Sequence, residues 1–312
     1  MREIDRQISK AVLTGPTGVL GTALIKKFLA AETETYVICH PGSRRTQSIP
    51  DHPLLHKIDC DMSDYASLPE KIGTTVDAFF HFAWLGTSDH NNRMNMPLQA
   101  KNIEYTLDAV QAAKELGCKV FIGAGSQAEY GRVDGVIHPD TPEHPIGGYG
   151  MAKLCAGQMT RVMCRSCGIR HVWPRVLSTY GIGDNPSTLV SVVVRKLLAG
   201  EKPSLTAGEQ IWDYLFSADA AEAFYDMALR GRDGAVYVLG SGRTKPLREF
   251  MEIIRDAIDP SLPLGIGDIP YYPDQAMHLE ADVSSLTADT GWRPQTSFEA
   301  GIRQVIVAMR NQ

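Results

Sequence analysis

Tyr149 and Lys153 stand four residues apart, so a helix through them presents a phenol and an ammonium on one side. A phenol with its ordinary pKa of about 10 is a poor base at neutral pH, and a nearby cation favours its ionised form. Lys153 is expected to supply that cation. Far upstream, Thr14 is followed by Gly15, Gly18 and Gly21, the spacing of a turn that grips a pyrophosphate. Glycine permits the tight turn and lets backbone N–H groups approach phosphate, and the helix that follows adds favourable potential for an anion. Together the two motifs point to hydride transfer to or from a carbonyl.

These residues need a scaffold, and the first half of the chain provides its pattern. Short apolar runs alternate with amphipathic stretches, which predicts an α/β fold: a Rossmann-type, doubly wound parallel sheet. Strands are expected at 11–13, 36–39, 57–59, 78–82, 120–122 and 171–173. Leu20, Leu24 and Phe28 recur at helical spacing after the glycine turn, and a long helix is expected over 98–116. From residue 179 the rhythm weakens, although helices over 188–199 and 247–258 stand out. The expected organisation is a dinucleotide domain over 1–178 with parts of 210–245, and a smaller, irregular substrate lobe over most of 179–312.

On that scaffold the cofactor candidates fall at strand ends. Gly15, Thr17, Gly18, Val19 and Leu20 form the turn and helix start. The residue after the second strand meets the adenosine ribose, and an NAD enzyme places a carboxylate there. This chain has His40, Pro41, Gly42, Ser43, Arg44 and Arg45 instead. No acid is present to repel a 2′-phosphate and two guanidiniums are present to pair with one, which predicts NADP(H). The other reading of that stretch is a solvated basic loop. Asp61 and Met62 follow the third strand, Phe82, Ala83 and Trp84 the fourth, and Pro174 lies at the sixth. Ser126, just past the fifth strand, has a hydroxyl that can donate to the reacting oxygen.

The chain resembles the extended short-chain dehydrogenases/reductases of the NAD-dependent epimerase/dehydratase group, which act mostly on nucleotide-activated sugars. The likeness runs through T-G-x-x-G-x-x-G at 14–21, D-A-F-F-H-F-A at 77–83 and G-S-Q-A-E-Y-G at 125–131. It continues through Y-G-M-A-K at 149–153, P-R-V-L-S-T-Y-G at 174–181, W-D-Y-L at 212–215 and G-W-R-P at 291–294. It implies Ser126, Tyr149 and Lys153 as the catalytic set, Asn102 near the cofactor, and a homodimer through helices near 98–116 and 151–167. Dehydratases of this group follow the catalytic hydroxyl residue with an Asp–Glu pair. Here those places hold Gln127 and Ala128, neither an acid nor a base, and Glu129 is expected to point away. A branch that epimerises beside a carbonyl adds a cysteine and a histidine, where this chain has Ala128 and Gly183. Substrate contacts are read at Trp84, Gln127, Tyr149 and Ser178. Trp84 either walls the sugar pocket or fills core. Trp212 replaces an arginine that contacts phosphate in many relatives, leaving Arg195, Lys196 and Lys202 as other sources of charge.

What survives is chemistry that needs only hydride and one proton. The favoured reading is an NADP(H)-dependent nucleotide-sugar 4-ketoreductase. The alternatives are an NAD-dependent nucleotide-sugar 4-epimerase and a non-catalytic dinucleotide-sensing protein. A net charge of -5 argues against nucleic-acid or anionic-membrane partners. No apolar run reaches the roughly 18 residues of a membrane span. The start, Met1-Arg2-Glu3-Ile4-Asp5-Arg6, is too polar for a signal peptide, so a cytoplasmic address is expected. Cys164 and Cys167 form a C-x-x-C without a second ligand pair, so no metal site is expected and the six cysteines read as reduced thiols.

Overall fold

The computed structural model describes residues 7–87, 89–273 and 275–311; the polar start at 1–6 lies outside them. Seven parallel strands form the main sheet: β1 (Lys10–Thr14), β2 (Glu34–Cys39), β3 (Leu55–Asp59), β4 (Ala78–His81), β5 (Val120–Gly123), β6 (Arg170–Val176) and β7 (Ala235–Leu239). Their spatial order is β7-β6-β5-β4-β1-β2-β3, so the direction of winding reverses between β1 and β4. A ligand crevice belongs at that reversal, outside the carboxyl ends of the strands. The predicted doubly wound α/β sheet is the observed one.

Helices organise the rest, among them α1 (Val19–Ala30), α2 (His90–Met94), α3 (Met96–Glu115), α4 (Gly148–Cys167), α5 (Leu189–Leu198), α6 (Ser217–Arg230), α7 (Leu247–Ile258) and α8 (Phe298–Arg310). Successive strand residues point to opposite faces of the sheet. Leu13, Val37, Phe80 and Ile122 pack with Leu24 and Phe28 of α1 and Phe224 and Met227 of α6. Val12, Ile38, Phe79 and Phe121 pack with Val110 and Ala113 of α3 and Cys164 of α4 on the other face. Both faces are covered, which is why the strands read as continuous apolar runs.

Beyond β6 a second core gathers Val193 and Leu197 of α5, Phe250 and Ile254 of α7, and Phe298 and Ile302 of α8 around Tyr180 and Phe216. A small sheet crosses it, with Ile211–Phe216 between Ser178–Tyr180 and Thr244–Pro246. Asp213 in that strand is fully buried, and its carboxylate accepts from Ser241 N (2.7 Å) and Gly242 N (2.9 Å). No helix among the described residues is long and apolar enough to cross a membrane.

The floor of the crevice is held by one directed chain of hydrogen bonds. Thr14 Oγ1 accepts from the N–H groups of Phe82 (3.0 Å) and Ala83 (3.1 Å) and lies 3.0 Å from His81 Nδ1. Thr106 Oγ1 donates to Asn102 O at 2.6 Å, so it accepts from His81 Nε2 at 3.3 Å. His81 is therefore neutral with its proton on Nε2, and Thr14 donates to Nδ1. Burial, seconded by the Lys153 charge, pulls its pKa down to about 3. Thr14→Val keeps the shape but leaves two buried N–H groups and one ring nitrogen unpaired. A loss of roughly 2–4 kcal/mol is expected in denaturant unfolding, and an unchanged midpoint would contradict this account.

Candidate active site

Gly15 has φ +69°, and a Cβ there would lie 2.8 Å from both Phe82 C and Ala83 N. At Gly21 a Cβ would lie 2.2 Å from Gly15 O. Both positions require glycine so that the turn can lie against the backbone beyond β4. Gly18 differs, since a Cβ would meet nothing closer than Gly15 O at 3.7 Å. The space above it belongs to the crevice. Gly18 also caps α1 without a side chain, and the first turn of α1 holds no acid. Its leading N–H groups are left to an anion, so the turn suits a pyrophosphate.

Two cavities meet over this turn, sharing Gly15, Gly18, Phe82, Trp84 and Thr87. One, about 260 Å³, runs toward the ends of β2 and β3 past His40, Ser43, Arg45 and Met62. No carboxylate is among its described lining residues. Arg45 Nη2 donates to Thr17 O at 2.5 Å, which ties the basic loop to the phosphate turn. The structure thus brings Arg45 to the crevice, and Arg44 does not line it. Asp61 does not line it either: its carboxylate pairs with His40 (3.2 Å) and accepts from Ser63 N (2.9 Å). The adenosine end of a dinucleotide would meet His40, Ser43 and Arg45.

The other cavity, about 320 Å³, is lined by Val19 and Leu20 and by Ser126, Tyr149 and Lys153. Two elements deliver the latter set: the Gly125–Ser126 strand beside β6, and two successive turns of α4. Ser126 and Tyr149 line the same cavity, and Tyr149 remains partly exposed to it. Burial raises the phenol above its usual pKa, opposed by the Ser126 hydroxyl and by the charge of Arg93. Lys153 is 3% exposed and turned elsewhere. Its ammonium donates to Ala124 O at 2.7 Å and lies 3.6 Å from the Trp84 ring centroid. The same ammonium lies 5.9 Å from the Tyr149 ring centroid.

The segment after Ser126 is a tight 3₁₀ turn over Gln127–Glu129 rather than extended chain. Glu129 points away from the cavity as expected, but because it closes a capping box: its carboxylate accepts from Ser126 N at 2.8 Å. Trp173 Nε1 (3.1 Å) and Arg175 Nε (2.6 Å) also bind it, and Arg175 reaches on to Glu143. Glu129 thus fixes the Ser126 backbone. Sequence periodicity gave no sign of this network, because its partners lie 44 and 46 residues away.

The remaining candidates divide. Trp84 does both things read for it: it lines both cavities and packs with Ala152 and Trp173. Gln127 is half-buried and lines neither cavity. Asn102 braces the loop after β4, donating to Leu85 O (3.0 Å) and accepting from Leu85 N (2.8 Å). Pro174 is buried in β6, and Val176, Leu177 and Thr179 reach the cavity instead. Ser178 Oγ accepts from Trp212 Nε1 at 2.9 Å. Lys202 pairs with Asp268 at 2.7 Å and Arg195 donates to Pro186 O, so both charges are engaged elsewhere. A further cavity, about 150 Å³, lies between α5 and α7 and was not read from the sequence. Gln210 lines it with a buried side-chain oxygen that has no partner among the described residues, beside Thr206 and Arg248.

The profile of the NAD dependent epimerase/dehydratase family matches residues 11–240. A dTDP-glucose 4,6-dehydratase of Haemophilus influenzae is 23% identical over 327 residues, covering 95% of this chain and 96% of that protein. A UDP-N-acetylglucosamine 4-epimerase from Methanobrevibacter ruminantium, solved with UDP-N-acetylmuramic acid, superposes with a TM-score of 0.88 at 22% identity over 98% of this chain and 99% of that one. RMD from Pseudomonas aeruginosa, solved with NADPH, gives 0.82 at 21% identity over 97% and 99%. At these identities the superpositions show a shared fold.

Burial pulls the Lys153 pKa from 10.5 down to about 7, against the opposing charge of Glu129. Below pH 7 the folded chain carries the full cost of a buried ammonium. As pH rises from 7 to 10.5 the unfolded chain holds the extra proton, so this group's penalty shrinks and stability rises. Lys153→Met should therefore stabilise the protein by roughly 2–4 kcal/mol at pH 6, with the gain fading toward pH 10. Thermal melts across that range check it, and a gain independent of pH would contradict the assignment.

Proposed function

Because this chain belongs to the NAD dependent epimerase/dehydratase family, we propose that it is an NADP(H)-dependent nucleotide-sugar 4-ketoreductase whose catalytic set is Ser126, Tyr149 and Lys153. The observation that carries this reading is the convergence of those three side chains on the cavity that also contains the open glycine turn. When bound, a nicotinamide dinucleotide supplies the hydride. Tyr149 delivers a proton from its Oη to the keto oxygen, and Ser126 Oγ donates a hydrogen bond to the same atom. A phenol raised by burial keeps its proton at neutral pH, which suits delivery to a carbonyl better than abstraction from an alcohol. Lys153 anchors the floor beside Ala124, within reach of a ribose hydroxyl.

Dehydration lacks its acid and base. Gln127 and Ala128 occupy the turn after Ser126, and the Glu129 carboxylate is committed to Ser126 N, Trp173 and Arg175. The choice of NADP(H) rests on Arg45, His40 and Ser43 along a wall without a carboxylate. The nucleotide end of the substrate is assigned to the cavity at Gln210, whose unpartnered oxygen accepts a nucleobase N–H. Exposed Met151, Met159 and Val162 on α4 support a homodimer through that helix.

In an NADPH oxidation assay with nucleotide-linked 4-keto-6-deoxyhexoses, Tyr149→Phe is expected to lower kcat by about 10²–10⁴-fold. Full activity in that variant would defeat the catalytic assignment. Identification of the dinucleotide released on denaturation separates the alternative: stoichiometric NAD supports the 4-epimerase, while an empty or NADP-loaded site supports the reductase. The solution mass should be twice that of one chain, and a monomer at every concentration would refute the dimer.

A further inference from the structure

The Lys153 ammonium carries three donors and no acceptor, on a flexible four-carbon stem. One N–H goes to Ala124 O at 2.7 Å. Another side is covered by the indole of Trp84, whose ring centroid lies 3.6 Å from Nζ. That is well inside the roughly 6 Å over which an aromatic face attracts a cation, and tryptophan offers the strongest such face. Glu129, the carboxylate whose charge reaches the ammonium, is already paired with Arg175 at 2.6 Å. The indole stands where a counter-ion otherwise would.

The indole is itself fixed. Its Nε1 donates to Gln99 Oε1 at 2.8 Å. Gln99 is 1% exposed, and its amide nitrogen donates to Asn92 O at 2.9 Å. The amide is therefore directed: turned over, it would set its own N–H groups against the indole N–H. Ala152 and Ala156, one turn apart on α4, pack with the indole and Trp173 in a buried cluster. Tyr149 meets the indole edge-on, with ring centroids 6.1 Å apart and planes at 86°. A ring held by a hydrogen bond at its rim and by packing around it offers its face in one place.

We propose that Trp84, set by Gln99, is the positioning residue for Lys153: its indole face holds the ammonium against Ala124 O and leaves the remaining N–H to the cavity lined by Ser126 and Tyr149. This rests on the reading of Lys153 as a member of the catalytic set. The contact does two things. It keeps the long side chain in one geometry before a dinucleotide arrives, so less freedom is lost on binding. It also favours the charged form of Lys153 against the burial that opposes it. The ammonium thereby keeps its charge beside the phenol, 5.9 Å from the Tyr149 ring centroid. His81, at the end of β4, also feels that charge and is neutral.

Fluorine on the indole withdraws electron density from its face while nearly keeping its size, and makes the N–H a better donor to Gln99. The full-length protein is therefore made with mono- to tetrafluorotryptophan at position 84 alone and with lysine labelled at Cε. The Lys153 resonance is assigned through Lys153→Met. Its pH midpoint should fall stepwise with fluorination, by about one pH unit at four fluorines, tenfold in ionisation constant. The Lys153 ε-protons should resonate upfield of those of other lysines because they lie over the ring, and Gln99→Met should reduce that displacement. NADPH affinity, read by its fluorescence, should fall about 3- to 10-fold along the series, and not when Lys153→Met is also present. A midpoint unchanged by fluorination, ε-protons without the upfield displacement, or an equal loss of affinity in Lys153→Met overturns the proposal. Neither the titration nor the binding uses a sugar or turnover, so a failure of the ketoreductase assay is told apart from a failure here.

Discussion

The hydroxyl of Thr14 is the point on which the crevice hangs. It sits at the end of β1, accepts two N–H groups from the chain leaving β4 and donates to the His81 ring. Its bonding capacity is used up. The two strand ends lie close here, and a Cβ on Gly15 would fall 2.8 Å from Phe82 C. Everything that lines the floor is referred to this junction. The glycine turn approaches Phe82, the 82–85 segment carries Trp84, and Trp84 carries Lys153.

From that junction the order passes outward by hydrogen bonds whose direction is determined. His81 hands its Nε2 proton to Thr106, Thr106 hands its own to Asn102 O, and the Asn102 amide holds both backbone atoms of Leu85. Asn102 therefore acts on the site through the backbone. The second polar chain, Ser126 to Glu129 to Arg175 to Glu143, does the same for the Ser126 hydroxyl. A buried ion pair of this kind gives little net stability against its desolvation. Its observed use is geometric: it sets the backbone of the residue whose side chain faces the cavity.

Much of this was legible in the sequence, and the physical reason differs by element. The strands through Phe80 and Ile122 are buried on both faces, so apolar runs mark them directly. The helix over Leu247–Ile258 has a strong apolar stripe, and its ends agree with those expected. By contrast α6 is rich in alanine and β7 is five residues long, so neither stands out until the sheet supplies its partner β6. Helical spacing pairs Tyr149 with Lys153, and the family resemblance joins Ser126 to them as the proposed catalytic set. What spacing cannot show is a side chain's choice among partners. Lys153 prefers Ala124 O and an indole face to the phenol, and Arg45 rather than Arg44 turns to the phosphate loop. Both outcomes are decided by contacts between residues far apart in sequence.

Trp84 in the cavity wall and Trp212 beside Ser178 make this point in energetic form. A buried indole N–H must find an acceptor, so a tryptophan enters a site only with a partner. Trp84 comes with Gln99 (2.8 Å) and Trp212 with Ser178 (2.9 Å), each partner drawn from a different element. These are paired substitutions in effect: changing one member alone strands a donor or an acceptor in a buried place. They also take space and remove charge from the walls they occupy. Trp84 further closes one side of Lys153, which makes the ammonium harder to solvate and accounts for part of its depressed pKa. The aromatic walls and the electrostatics of the catalytic set are thus one construction, and neither can be altered without the other.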